Sequence, residues 1–206
     1  MHPFFHGLIF GLIFIFFIGP ALFALLQTSI QNGLKPAIFL ALGISLSDII
    51  FVMLTLFGVS TLLENNDFKF WIGSFGSIVL IGYGIYTWFK APPEMKESKP
   101  DNSRYLIKFS LKGLLLNGLN PFIIFFWLSW VGFVSVNYDY GKIGQRYFFA
   151  GLLLTILLSD IAKATIAHKK KHLISPKFFQ WVNKIVAVVL VLFGIRIIYF
   201  LIETYT

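Results

Sequence analysis

The chain has 206 residues, of which 57% are hydrophobic and 13% charged, with a net charge of +8 and no cysteine. A water-soluble domain carries about 25% charged residues, so a soluble fold is excluded as the main reading; the lack of cysteine excludes disulfides, thiolate metal sites and Cys-x-x-Cys redox chemistry. The positive charge sits in short loops between apolar runs, a pattern that orients a chain in a lipid bilayer rather than one that binds nucleic acid.

Six apolar runs near the length needed to cross hydrocarbon predict an all-α membrane protein with spans at 4–26, 37–63, 70–89, 111–136, 145–167 and 178–202. The first run follows no basic stretch, because the first Lys or Arg is Lys35. It lacks the basic start of a cleaved signal peptide and is expected to stay as a spanning helix. It holds Gly7-x-x-x-Gly11, which lets another helix approach closely, and then Gly19-Pro20. The second run carries Asp48 in Leu46-Ser47-Asp48-Ile49, and the third a strip of Gly73, Gly76, Gly82 and Gly84. Packing inside the monomer is the main reading of that strip, and a homodimer contact is the alternative. Residues 90–110 contain Pro92, Pro93, Pro100 and a cluster of charges, and read as a solvated linker. The fourth run holds Asn117, Asn120 and Pro121, and the fifth repeats the tetrapeptide as Leu158-Ser159-Asp160-Ile161, with Lys163 one turn on. In the sixth, Lys184 and Arg196 lie near the ends and can snorkel to the interfaces.

Loops 27–36, 90–112 and 167–177 hold eleven Lys and Arg residues, against Lys69, Lys142 and Arg146 on the opposite side. The bias places the linker in the cytoplasm and both termini outside. The chain is therefore expected to form one transmembrane domain made of two three-helix units, 1–89 and 111–206, joined by linker 90–110. An odd number of spans per unit inverts the second relative to the first, the architecture of repeat-built transporters. The tetrapeptide occurs once in each unit, and so does a proline in each first helix.

Those prolines lack an N–H and crowd the carbonyl four residues back. Pro20 would free the carbonyl of Phe16 and Pro121 that of Asn117, which is tolerated in a membrane only against protein or a water-filled cavity. The functional reading is a broken helix that binds substrate; the bland one is a plain kink. Asn117 and Asn120, three apart, share a helical face and either meet substrate at the break or glue helices together. Asp48 lies 12 residues past Pro36, about 18 Å along a helix axis, near mid-membrane. Asp160 lies 14 residues past Arg146, about 21 Å along the axis. An intramembrane carboxyl is a functional-site hypothesis by default. Low dielectric disfavours its charged form, so either acid could carry a proton or neutralise a substrate ammonium. Each could instead be a neutral or paired structural group, and Lys163 offers Asp160 a local ion pair or a means of tuning it.

Catalytic and cofactor signatures are absent from the sequence. There is no Gly-x-x-x-x-Gly-Lys-Ser/Thr loop, no nucleophile–base set, and no third ligand at metal spacing near His2, His6, His168 or His172. The chain reads as a non-enzyme without cofactor or metal, whose partners are a small solute and the bilayer. A non-transport scaffold acting through the linker is the second reading.

Ile18-Gly19-Pro20, Asn32-Gly33-Leu34 and Leu42-Gly43-Ile44-Ser45-Leu46-Ser47-Asp48 resemble the first half of the lysine exporter (LysE/RhtB) family. Asn117-Gly118-Leu119-Asn120-Pro121, Leu173-Ile174-Ser175-Pro176 and Leu192-Phe193-Gly194-Ile195-Arg196 resemble its second half, so the resemblance spans almost the whole chain. It implies an exporter of amino acids and related small metabolites in the bacterial inner membrane, driven by the proton gradient. One departure bears on substrate: the resemblance leads one to expect Lys directly after Asn-Pro, and Phe122 stands there. Either the substrate is unusual or another group binds its carboxylate.

Overall fold

A computed structural model describes residues 2–16, 19–59, 66–89, 103–170 and 176–205. Its helices in chain order are α1 (Pro3–Ile13), α2 (Pro20–Asn32), α3 (Leu34–Leu54), α4 (Asn66–Phe89), α5 (Ser103–Gly118), α6 (Pro121–Asn137), α7 (Gly141–Lys169) and α8 (Pro176–Tyr205). The fold is all-helical among the described residues.

Proline sets half of the helix starts. α1, α2, α6 and α8 each open on one, where the missing N–H costs no hydrogen bond and the fixed φ suits the first turn. This breaks the expected first span into α1, a single 3-10 turn at Phe14–Phe16, and α2. The expected fourth span is likewise broken into α5 and α6, bent by 69°. Gly33 alone separates α2 from α3, and its φ of 93° is open to glycine without steric cost. α2 therefore runs to Asn32, through most of what the sequence suggests is a loop.

Other boundaries also move. α5 begins at Ser103, so the last third of the expected linker is helix, and positions 90–102 lie outside the described residues. α3 continues through a wider π turn at Thr55–Val59, and the end of the expected second span, 60–63, is likewise outside them. Among the described residues, Leu34–Phe57, Gly141–Lys169 and Asn183–Glu203 are each long and apolar enough to cross a bilayer; the bent pair α5–α6 makes a fourth if it counts as one span. α1, with 11 residues, reaches only about 16 Å, which is why the first span does not stand as a single crossing helix.

Three helix pairs carry most of the packing: α4 with α8, α3 with α5, and α1 with α7. Each pair joins a helix before position 90 to one after 102. Each also crosses where glycines leave room for backbone to meet backbone. A side chain at Gly84 would stand 3.0 Å from the Ala187 carbonyl oxygen, and one at Gly194 equally close to that of Ser77. A methyl at Gly43 would collide with the Ser110 carbonyl, one at Gly113 with that of Leu40, one at Gly7 with that of Phe148, and one at Gly151 with that of Phe4. Gly7 and Gly11 thus serve contacts inside the chain. In the third-span strip, Gly73, Gly76 and Gly84 do the same, against Leu201, Phe125 and α8.

Polarity is arranged inside out. Thr28, Ser29, Ser47, Asp48, Asn117 and Asn120 are buried, whereas Trp71, Phe75, Ile78, Phe89 and Trp181 are each at least two-thirds exposed. Apolar surface this extensive marks a face that meets lipid or another apolar phase. Lys184 and Arg196, expected to snorkel, are exposed and lie over the rings of Trp88 and Tyr199.

Gly43→Ala and Gly113→Ala are each expected to destabilise the fold by about 1–3 kcal/mol through overpacking. Gly82→Ala, whose new methyl meets nothing within 4 Å, should leave stability unchanged or slightly raised. Thermal unfolding of the purified protein in detergent checks this, and equal melting temperatures for all three variants would contradict the close crossing of α3 and α5.

Candidate functional site

The break at Pro121 is finished by its own neighbours. The Asn120 N–H donates to the Asn117 carbonyl at 3.1 Å, so that carbonyl is not left free as the sequence suggests. Asn120 has left the helix. As N-cap of α6 its side-chain Oδ1 accepts from the Phe122 N–H at 3.1 Å, satisfying one of the unpaired donors of the first turn. The two asparagines therefore do not share a helical face, yet both side chains border the same cavity.

Asn117 reaches across to α3. Its Nδ2 donates to Asp48 Oδ1 at 2.7 Å and, at longer range, to the Ile44 carbonyl at 3.4 Å. Trp127, on α6, donates its indole N–H to the same Oδ1 at 2.8 Å. Asp48 is thus held by one donor from each arm of the broken helix. All three side chains are almost fully buried. A buried carboxyl with two short bonds is fixed in direction, because letting either donor go would leave a polar group unpaired in low dielectric.

Asp160 sits on α7 and pairs with Lys163 one turn on, Nζ to Oδ1 at 3.0 Å. Both are partly buried and both border the cavity. Gly19, the N-cap of α2, borders it too. Gly19 is in extended conformation and, having no side chain, gives the start of α2 no side-chain cap of its own. The backbone break at Pro20 is where the sequence places it.

The cavity measures about 110 Å³, several times the ~10–15 Å³ that one water needs. It brings together Asp48, Asp160, Lys163, Asn117, Asn120 and Gly19, residues drawn from both halves of the chain. The rest of its wall is apolar, chiefly Phe122, Ile123 and Phe126 of α6 and Val186 and Leu190 of α8. Phe122, at the position where the resemblance leads one to expect lysine, is buried and stacks on Phe126 with centroids 6.2 Å apart. Phe14 closes one end, its ring edge-on to Phe126 at 5.2 Å and Trp130 at 5.0 Å. Among the described residues no three His, Asp or Glu side chains cluster as a metal site would require.

Trp127 is the cavity residue that the sequence reading misses. Its signal is a lone indole in an apolar run six residues past Pro121, since a buried Trp N–H needs an acceptor. Nothing in the sequence says that the acceptor is Asp48, 79 positions away.

A helical membrane protein with ionisable groups gathered in an interior cavity at two helix breaks is the class this structure defines. Residues 12–200 match the family model of the LysE type translocator, and the chain belongs to that family. It is 28% identical to the "Putative amino acid efflux protein YcgF" of Bacillus subtilis (strain 168), over 86% of each chain. It is 27% identical to the "Leucine efflux protein" of Klebsiella pneumoniae subsp. pneumoniae, over 71% of this chain and 70% of that one. It is also 26% identical to the "Uncharacterized membrane protein YahN" of Escherichia coli (strain K12), over 72% of this chain and 68% of the other. No solved structure matches the chain.

Trp127→Phe keeps the ring and removes the donor to Asp48. It is expected to cost about 1–3 kcal/mol, the range for leaving a buried polar group without its partner. Trp130→Phe removes no bond to a carboxyl and should cost less. Chemical or thermal unfolding in detergent compares the two, and equal losses would argue against the indole–Asp48 bond.

Proposed function

We propose that the protein is a secondary transporter that exports amino acids or related small metabolites across the bacterial inner membrane in exchange for protons. The observation that carries this reading is the meeting of Asp48 and Asp160, from opposite halves of the chain, in one interior cavity at the two helix breaks. Substrate would occupy that cavity. Asp48, and with it Asp160, would carry the proton or neutralise the substrate's ammonium, with Lys163 tuning Asp160. Gly19-Pro20 and Asn117, Asn120 and Pro121 would present polar groups to the solute. The relatives named as efflux proteins support the direction and the class of cargo. One proton crossing ~100 mV yields ~2.3 kcal/mol. At ~1.4 kcal/mol per decade this sustains a gradient of roughly 40-fold, so the proton gradient alone is sufficient.

In the same reading the chain spans the membrane six times as two inverted three-helix units, 1–89 and 111–206, with linker 90–110 in the cytoplasm and both termini outside. The exchange of partners between halves supports it: α1 packs on α7, and the corresponding α5 packs on α3. Alternating access would then open the cavity to one side and the other by tilting these pairs. The aromatic layer around Phe14 and Trp130 would act as one closure.

Asp48→Asn keeps the hydrogen-bond acceptor and removes the titratable proton. Proton-driven uptake into inverted vesicles, the in vitro equivalent of export, should fall at least about 100-fold, the loss of roughly 2.7 kcal/mol at 1.36 kcal/mol per decade. Unaltered proton-dependent transport would refute the assignment. Orientation has its own test, since the chain has no cysteine. A membrane-impermeant maleimide should label Thr206→Cys in intact cells and Met95→Cys only after lysis; the reverse pattern would overturn the proposed topology.

A further inference from the structure

We infer that the cargo is a zwitterionic α-amino acid whose side chain is uncharged and apolar, and that basic and acidic amino acids are excluded. The inference rests on the export reading above and adds the substrate class.

Among the described residues, three ionisable side chains border the cavity: Asp48, Asp160 and Lys163. Asp160 is already paired with Lys163. Asp48 is held by two neutral donors, Asn117 and Trp127, and among the described residues no cation pairs with it. One carboxyl is thus left to receive one ammonium. Lys163 has three N–H donors and gives one to Asp160, leaving donors for a carboxylate, and the start of α2, whose N-cap Gly19 offers no side-chain cap, borders the same cavity. Helix starts of this kind favour negative charge. The cavity can therefore satisfy the two poles of a zwitterion.

A third charge on the cargo finds no partner. A lysine or arginine side chain would need a second free anion, and an aspartate or glutamate side chain a second free cation, but the other lining residues carry no charge: beyond Asn117, Asn120 and Trp127 they are apolar, among them Phe122, Ile123, Phe126, Val186 and Leu190. Burying an unpaired charge against such a wall is strongly unfavourable, while the same wall gains by covering an aliphatic or aromatic side chain. Specificity here comes from what the cavity lacks as much as from what it offers.

The test is counterflow in proteoliposomes holding the purified full-length protein, with labelled leucine, phenylalanine, lysine and glutamate compared under one pH gradient. Leucine and phenylalanine should exchange at least about 100-fold faster than lysine or glutamate. Exchange of lysine or glutamate as fast as leucine overturns this inference and leaves the exporter reading standing. Exchange of none of the four overturns this inference, while the exporter reading is judged separately by the loss of proton-driven transport in Asp48→Asn. Val186→Asp places a second free anion in the wall, in addition to Asp48, and should bring lysine exchange, whereas Val186→Asn, of similar size, should not. A monodisperse Val186→Asp protein that gains no lysine exchange would overturn the charge argument. If that variant fails to fold, the ranking of the four cargoes on the unmodified protein still decides the matter.

Discussion

One carboxyl oxygen ties the broken helix to the rest of the molecule. Asp48 Oδ1 accepts from Asn117 at the end of α5 and from Trp127 one and a half turns into α6. The chain between those donors contains the break at Pro121, where the backbone turns by 69°. Without a common acceptor the two arms would be joined only by the short segment between them. With it, the angle of the break is fixed from α3, and a change at Asp48 is carried to both arms at once. A change at this position therefore acts on the part of the fold that has a joint in it.

The surrounding framework is built from close helix crossings. Apolar side chains gain little by leaving lipid for protein, so membrane helices associate through close packing and hydrogen bonds. Here glycines at Gly7 and Gly151, Gly43 and Gly113, and Gly84 and Gly194 bring backbones within reach. Rigid pairs of this kind are suited to move as units around a cavity. The polar bonds that reach between helices, such as Ser29 Oγ to the Ala164 carbonyl and His168 Nδ1 with the Ser29 carbonyl, add direction to that packing. The same chain that exposes Trp71 and Phe75 buries Asp48 and Asn117, the reverse of what water would select.

The chain's membership of the LysE type translocator family gives this arrangement its setting, and two side chains shape the cavity in particular, Phe122 and Lys163. Phe122 occupies the place after Asn-Pro with a buried ring that lengthens the apolar wall. The cation in the cavity comes from another helix, one turn from Asp160. The ionisable groups of the cavity come from α3 and α7, while α6 and α8 supply much of its carbon surface.

Much of this was legible in the residues. Apolar runs and low charge fix an all-helical membrane protein, because only closed backbone hydrogen bonding survives in hydrocarbon. Gly19-Pro20 and Asn120-Pro121 fix the two breaks, because proline cannot donate within a helix. Asp48, Asp160 and Lys163 stand out as ionisable groups in apolar runs, and the Asp160–Lys163 pair follows from their spacing of three. What the sequence could not supply is everything that depends on partners far along the chain. The crossing of Gly43 with Gly113, the indole of Trp127 on Asp48, the capping turn that takes up the Asn117 carbonyl and the meeting of both acids in one cavity are tertiary facts. They arise because helices choose neighbours by shape and polarity across the whole fold, and local spacing along the chain carries no record of that choice.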